Sequence, residues 1–329
     1  MSSLSRRHDV KAVVQDRYGP PEVLELREVE RPAVGDGDVL VRVHAASVNP
    51  QDWQLMRASP FIVRAWGNGL RTPTMPIRGT DVAGQIEAVG KDVTRLRPGD
   101  DVLGWCEGAF AEYACADESH FVQKPAGLSF ESAATVAMAG CTALQGLRDV
   151  GAMQPGQEVL IVGAGGGVGT YAVQIAKELG ASVAGVCSTS KVDLVRSLGA
   201  DHVVDYTRED FTRGERRYDL IFQLAGTASP SACRRALTPK GTLVLSSGEG
   251  WFAGIDRIVR ALVASPFVGQ QMRVLMTKET NEDLVALAAL IEAGKVTPVI
   301  DRTYPLSDVA EAIAYVEEGH ARGKVVITL

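Results

Sequence analysis

Residues 160–180 read LIVGAGGGVGTYAVQIAKELG, an apolar run broken by glycines and resumed with a different period. Val159–Val162 is β-branched and aliphatic, which suits a strand buried on both faces of a parallel sheet. Beyond the glycines, Val168, Tyr171, Ala172, Ile175, Ala176 and Leu179 recur at helical spacing. Gly180 falls where a helix C-cap belongs. The glycines therefore occupy a strand-to-helix turn. Such a turn lets a pyrophosphate approach the backbone and meet the free N–H groups of a helix start. The spacing is not G-x-G-x-x-G. It is G-x-x-G-x-x-G, at Gly163, Gly166 and Gly169, with Gly167 and Val168 inside it. A tight turn with close helix–strand packing and no ligand would use the same letters. The flanking strand and helix favour a nucleotide site.

Working outward, residues 10–125 are β-rich. KAVVQDR, DVLVRVHAASV, GTDVAGQIEAVG and DDVLGW are short strand candidates, punctuated by the turn chemistry of GPPE, VGDGD and RPGD. From about 126 strands and helices alternate. Strands are expected at Val159–Val162, Ser182–Cys187, His202–Val204, Asp219–Leu224, Thr242–Ser246 and Arg273–Met276. Helices are expected between them, such as Val192–Leu198 and Ser231–Leu237. Six strands with helical crossovers describe a doubly wound sheet. The tail adds a helix (Glu282–Ala293), a strand near Val299–Thr303, a helix (Ser307–Glu318) and a last strand, KVVITL. A β-rich domain beside a nucleotide domain predicts a ligand cleft between them.

The chain has 329 residues, 46% of them hydrophobic, which suggests about two domains with ample core. A formal net charge of −6 argues against nucleic acid or a membrane surface as partner. The five cysteines show no C-x-x-C spacing, and an odd number leaves no complete disulfide framework. A reduced, cytoplasmic setting is the simpler expectation. The start, MSSLSRRHDVK, has no apolar core of a secretory signal.

Four segments carry a family resemblance: SVNPQDWQLMR (47–57), GTDVAGQIEAVGKDVTRLRPGDDV (79–102), GAFAEYACADESHFVQKPAGLSFESAATVAMAGCTALQGL (108–147) and GAGGGVGTYAVQIAKELGA (163–181). With them the chain resembles the medium-chain dehydrogenase/reductases, in the zinc-independent, quinone-oxidoreductase-like (zeta-crystallin-like) branch. The resemblance implies an α/β protein. Its GroES-like β-rich catalytic domain spans 1–125. A Rossmann doubly wound parallel-sheet cofactor domain spans 126–278, and residues 279–329 complete the catalytic domain. It also implies NAD(P)H-dependent reduction, in a homodimer.

Zinc-containing relatives have a His-Glu pair where this chain has Thr80-Asp81, and a Cys at Asn49 or its neighbour. A catalytic zinc needs about three protein ligands. One possible carboxylate, Asp81, stands here, and the five histidines are scattered. No zinc is expected. Cys141 is the cysteine expected near the cofactor, and also reads as a small buried hydrophobe.

NAD sites usually place an acid roughly 20 residues beyond the glycines, on the ribose 2′-OH. Here the second strand ends in Ser188, Thr189 and Lys191 with no acid at its tip. Hydroxyls and an ammonium suit a 2′-phosphate, so NADPH is the expected cofactor. The same run also reads as an N-cap for the next helix. The resemblance adds Tyr206 as a phosphate contact. It places Thr142, Ala225, Ser247 and Lys324 at the cofactor as well.

Without zinc, a conjugated acceptor is the easier substrate, because hydride addition spreads charge onto an oxygen that hydrogen-bond donors can hold. The resemblance puts Asn49 near the nicotinamide as one donor; an Asn-Pro turn is the alternative. Asp52 reads as structural. Trp53 and Gln54 stand where some relatives have a tyrosine, so water is the expected proton source. Trp66, Trp105 and Trp251 are candidates for an apolar cleft. Residues 248–269 are expected at the pocket or a dimer interface. The expected activity is reduction of quinones or α,β-unsaturated carbonyls. The alternatives are a pathway-specific enoyl reductase or alcohol dehydrogenase, and a non-catalytic nucleotide-binding protein.

Overall fold

The structure is a computed structural model that describes residues 9–59, 69–246 and 269–329. Its strands, in chain order, are β1 (Asp9–Gln15), β2 (Leu24–Glu30), β3 (Asp38–Val48), β4 (Asp81–Val89), β5 (Asp101–Trp105), β6 (Tyr113–Asp117) and β7 (Phe121–Gln123). There follow β8 (Glu158–Val162), β9 (Ser182–Cys187), β10 (His202–Asp205), β11 (Tyr218–Gln223), β12 (Leu237–Leu245) and β13 (Gln271–Val274). Last come β14 (Ile300–Pro305) and β15 (Lys324–Thr328). The chain divides into two compact units. One holds Met1–Met138, Glu279–Ala288 and Ile300–Leu329; the other holds Ala139–Lys278 and Ala289–Val299. Among the described residues no helix is long and apolar enough to cross a membrane.

In the second unit six parallel strands run in the order β10-β9-β8-β11-β12-β13. Val159, Leu160 and Ile161 of β8 are fully buried, as helices on both faces require. The order reverses between β8 and β11, the place where open α/β sheets hold ligands at the strands' carboxyl ends. The helix Gly167–Glu178 leaves β8 and buries Tyr171, Ala172, Val173, Ile175 and Ala176. It ends at Gly180, whose N–H donates to the Lys177 carbonyl.

The first unit is a mainly antiparallel sheet, order β14-β15-β3-β4-β5-β7, with β6 also on β3; among the described strands of this sheet only β14 and β15 run parallel. β3 is its spine, pairing β15, β4 and β6. Val39, Val41, Val43, Ala46 and Val48 of β3 pack into a core with Ile86, Phe110, Phe121, Ile313 and Ile327. The pairing Ser47↔Asp81 and Val48↔Val325 brings the end of β3 to the start of both β4 and β15.

Several elements differ from the sequence expectation, β6 and β7 among them, which are short strands not anticipated by any alternating run. β2 was not expected: LELREVE is rich in charge and half-exposed, and it pairs only with β1. Pro50–Arg57, for which no element was expected, is a helix capped by Asn49, with Pro50 at its first position, where a missing N–H costs nothing. β12 begins at Leu237, before Pro239, and a register shift against β11 accommodates that proline.

The glycine turn is set by sterics. Gly163 has φ +92°, a region that side chains strongly disfavour. A Cβ on Gly169 would collide with the Gly163 carbonyl oxygen and with Ala164. Gly169→Ala should therefore push the helix off the strand and lower the unfolding free energy by about 1–3 kcal/mol, the usual cost of overpacking. Urea denaturation reads this directly. An unchanged midpoint would show that the helix and strand do not need that approach.

Candidate active site

In the second unit Gly163, Gly166, Gly167, Val168, Ser188, Lys191, Tyr206 and Ala225 lie just after the carboxyl ends of β8, β9, β10 and β11. Gly166, Gly167 and Val168 open the helix and are partly exposed, and the first helical N–H groups lack intrahelical acceptors. Ala225, just after β11, lies against Gly163: a Cβ there would sit 2.9 Å from the Ala225 Cβ. The side chain of Lys191 lies over Gly165, where a Cβ would come within 2.8 Å of its Cδ. The Tyr206 N–H donates to the Cys187 carbonyl at 3.1 Å, which joins Tyr206, 62% exposed, to the end of β9. Helix start, basic side chain, hydroxyls and ring thus share one end of the sheet.

The tip of β9 also holds an acid that its own sequence does not show. The Thr189 Oγ1 donates to Asp205 Oδ2 at 2.6 Å, and the Thr207 hydroxyl and N–H donate to Oδ1. These bonds, that from Thr189 foremost, hold the Asp205 carboxyl below its ordinary value. The hydroxyl hydrogen of Thr189 is therefore committed to Asp205, at the end of the neighbouring strand β10. Sequence spacing along one strand could not reveal this contact. Thr142 is buried and shares a 3.0 Å hydrogen bond with Thr277. Ser247 lies outside the described residues, as do Trp66, Trp251 and 248–268.

In the first unit Asn49, Asp81 and Lys324 meet Ser47 in a buried polar cluster. Asp81 Oδ2 accepts from Ser47 Oγ at 2.8 Å, Asn49 Nδ2 at 3.0 Å and Lys324 Nζ at 3.1 Å. Its Oδ1 accepts from the Met138 N–H at 2.9 Å. Lys324 Nζ also donates to Asn49 Oδ1 at 2.6 Å. Lys324, which the resemblance puts at the cofactor, thus contacts both Asn49 and Asp81. Asn49 precedes the helix Pro50–Arg57, and Asp52 reaches back to accept from its N–H at 2.7 Å.

A zinc ion does not fit these residues. Both oxygens of Asp81 already accept hydrogen bonds, and a cation, the Lys324 ammonium, already contacts it. Among the described residues no group of three or more His, Cys, Asp or Glu is placed to share a metal ion. The thiols offer no ready nucleophile: burial pushes Cys106 up to about 12 and Cys187 up to about 11. Cys141 is fully buried. Trp105 is buried too, and it borders a cavity of about 290 Å³ shared with Thr80, Cys106, His120 and Glu279.

Known proteins match this chain along its whole length. Residues 35–126 match the alcohol dehydrogenase GroES-like domain, and residues 198–327 match the family described as zinc-binding dehydrogenase. The mitochondrial NAD(P)H oxidoreductase RTN4IP1 of Mus musculus is 32% identical over 368 aligned positions, covering 100% of this chain and 92% of that protein. The 2-methylene-furan-3-one reductase of Solanum lycopersicum is 34% identical over 341 positions, covering 99% and 81%. The solved quinone oxidoreductase of Coxiella burnetii superposes with a TM-score of 0.86 at 30% identity, covering 98% of this chain and all of that one.

Asp52 gives the cluster a pH dependence. Burial pushes its carboxyl up to about 7, against the N–H bonds from Asn49 and Gly79 that favour the anion. The native state therefore holds this proton more tightly than the unfolded chain does. Its contribution to stability is complete below about pH 4, the ordinary carboxyl range, and is lost as pH rises through about 7. Asp52→Asn should remove up to about 1.4 kcal/mol per pH unit of slope between those limits. Unfolding free energies of both proteins across that range check it. Identical slopes would place the proton elsewhere.

Proposed function

This chain belongs to the medium-chain dehydrogenase/reductase superfamily, in its quinone-oxidoreductase-like branch, and we propose that it is a zinc-independent, NADPH-dependent reductase of quinones or α,β-unsaturated carbonyls. The observation that supports this reading is the cluster at Asp81, whose Oδ2 accepts from an ammonium and two neutral donors. NADPH, when bound, supplies the hydride. The glycine turn and the start of the helix Gly167–Glu178 would receive its pyrophosphate. Ser188, Lys191 and Tyr206 would receive the 2′-phosphate, with the Lys191 charge offsetting that of Asp205.

The substrate class follows from where charge develops. Oxidising an alcohol passes through an alkoxide-like oxygen, which a metal stabilises as a Lewis acid. Reducing a conjugated acceptor spreads the charge over an enolate or a hydroquinone anion. One N–H donor from Asn49 then suffices, with water giving the proton. The acceptor is a small molecule. The homodimer and cytoplasmic setting implied above belong to the same reading.

Two measurements test it. Lys191→Ala should weaken NADPH binding by roughly 1–3 kcal/mol and leave NADH nearly unchanged, since NADH has no 2′-phosphate to lose a charge-assisted bond. An equal loss for both cofactors would remove Lys191 from the phosphate site. Turnover of NADPH with a 1,4-quinone should exceed turnover of NADP⁺ with a simple primary alcohol. The reverse ranking would show the reaction class to be wrong.

A further inference from the structure

Lys324 opens β15 with a side chain only 3% exposed, and it touches both Asn49 and the carboxylate that holds the other end of the Asn49 amide. An ammonium can only donate. The Asn49 oxygen must therefore face Lys324, at 2.6 Å, and the Asn49 nitrogen must face Asp81, at 3.0 Å. The flipped amide would set NH₂ against ammonium and carbonyl against carboxylate, two repulsive contacts where water cannot relieve them. One amide orientation is thus selected by a buried pair of opposite charges. An amide nitrogen has two hydrogens. Asp81 takes one, and the other has no acceptor among the described residues. The Asp81 carboxylate lies 3.1 Å from the ammonium and largely cancels its charge. What Lys324 gives Asn49 is orientation more than field.

We propose that Lys324 is a positioning residue: it locks the Asn49 amide so that its remaining N–H is the one offered to the oxygen of the acceptor. The proposal rests on the reading of Asn49 as that oxygen's donor. It assigns Lys324 a part in turnover and none in holding NADPH.

The test uses the full chain with NADPH and a 1,4-quinone, in Asn49→Ala, Lys324→Met, Lys324→Gln and the double variant Asn49→Ala/Lys324→Met. Asn49→Ala and Lys324→Met should each lower kcat roughly tenfold, as loss of an oxyanion donor does. Lys324→Met should leave the NADPH dissociation constant within about twofold. The double variant should be no slower than Asn49→Ala alone, because a lock has nothing to act on once the amide is gone. Lys324→Gln keeps an N–H donor for Oδ1 and should recover part of kcat. Weakened NADPH binding with unchanged kcat would make Lys324 a cofactor contact instead. Multiplying effects in the double variant would overturn the positioning role while leaving the Asn49 reading intact. An unchanged kcat in Asn49→Ala would overturn that reading and the proposal with it. If loss of Lys324 prevents folding, the wild-type protein still decides. Its Asn49 side-chain amide protons, identified in NMR spectra by their loss in Asn49→Ala, should include one that exchanges slowly through its bond to Asp81. Two fast-exchanging protons would contradict the lock.

Discussion

The first unit is organised around one carboxylate that has no water to turn to. Asp81 is fully buried, and an isolated buried anion costs many kcal/mol unless it is paired and hydrogen-bonded. It is satisfied by Lys324 from β15, Ser47 from β3, Asn49 from the start of the following helix, and the Met138 N–H. Those partners come from distant parts of the sequence. The register Ser47↔Asp81 and Val48↔Val325 brings two of them to it. The sheet and the polar cluster therefore require one another. A one-residue slip of β3 or β15 would carry Ser47 or Lys324 to the other face and leave Asp81 uncompensated.

The second unit solves a different problem, a close approach of helix and strand at the glycine turn. Its constraint is steric. Gly163 takes a backbone conformation that side chains avoid, and Gly169 lies too near the Gly163 carbonyl for any Cβ. Lys191 then lies over Gly165, and Ala225 rests on Gly163. Asp205 stands at the end of β10, held by hydrogen bonds from Thr189 and Thr207. Thr189 ties the turn after β9 to the end of β10.

Much of this was legible in the letters because it depends on local periodicity. The strand β9 matches its expected span, and the alternation of strands and helices from β8 onward gives the parallel sheet. The glycine spacing G-x-x-G-x-x-G placed the turn. What the letters concealed depends on neighbours remote in sequence. β2 has an ordinary charged surface composition, and only its pairing with β1 makes it a strand. Asn49-Pro50 reads equally well as a turn or a helix start. Asp205 is an unremarkable residue until β10 is set beside β9. Lys324 drew attention by family resemblance, but its placement against Asn49 follows from β15 joining β3, a contact across 275 residues.

The Asp81–Lys324 pair and the oriented Asn49 amide underlie the proposal of reduction without a metal. The most direct measurement is zinc content and NADPH–quinone turnover in the same chelator-treated sample. The account predicts far less than one zinc per chain with turnover fully retained. One tightly held zinc per chain, with turnover lost on its removal and restored on its return, would contradict it.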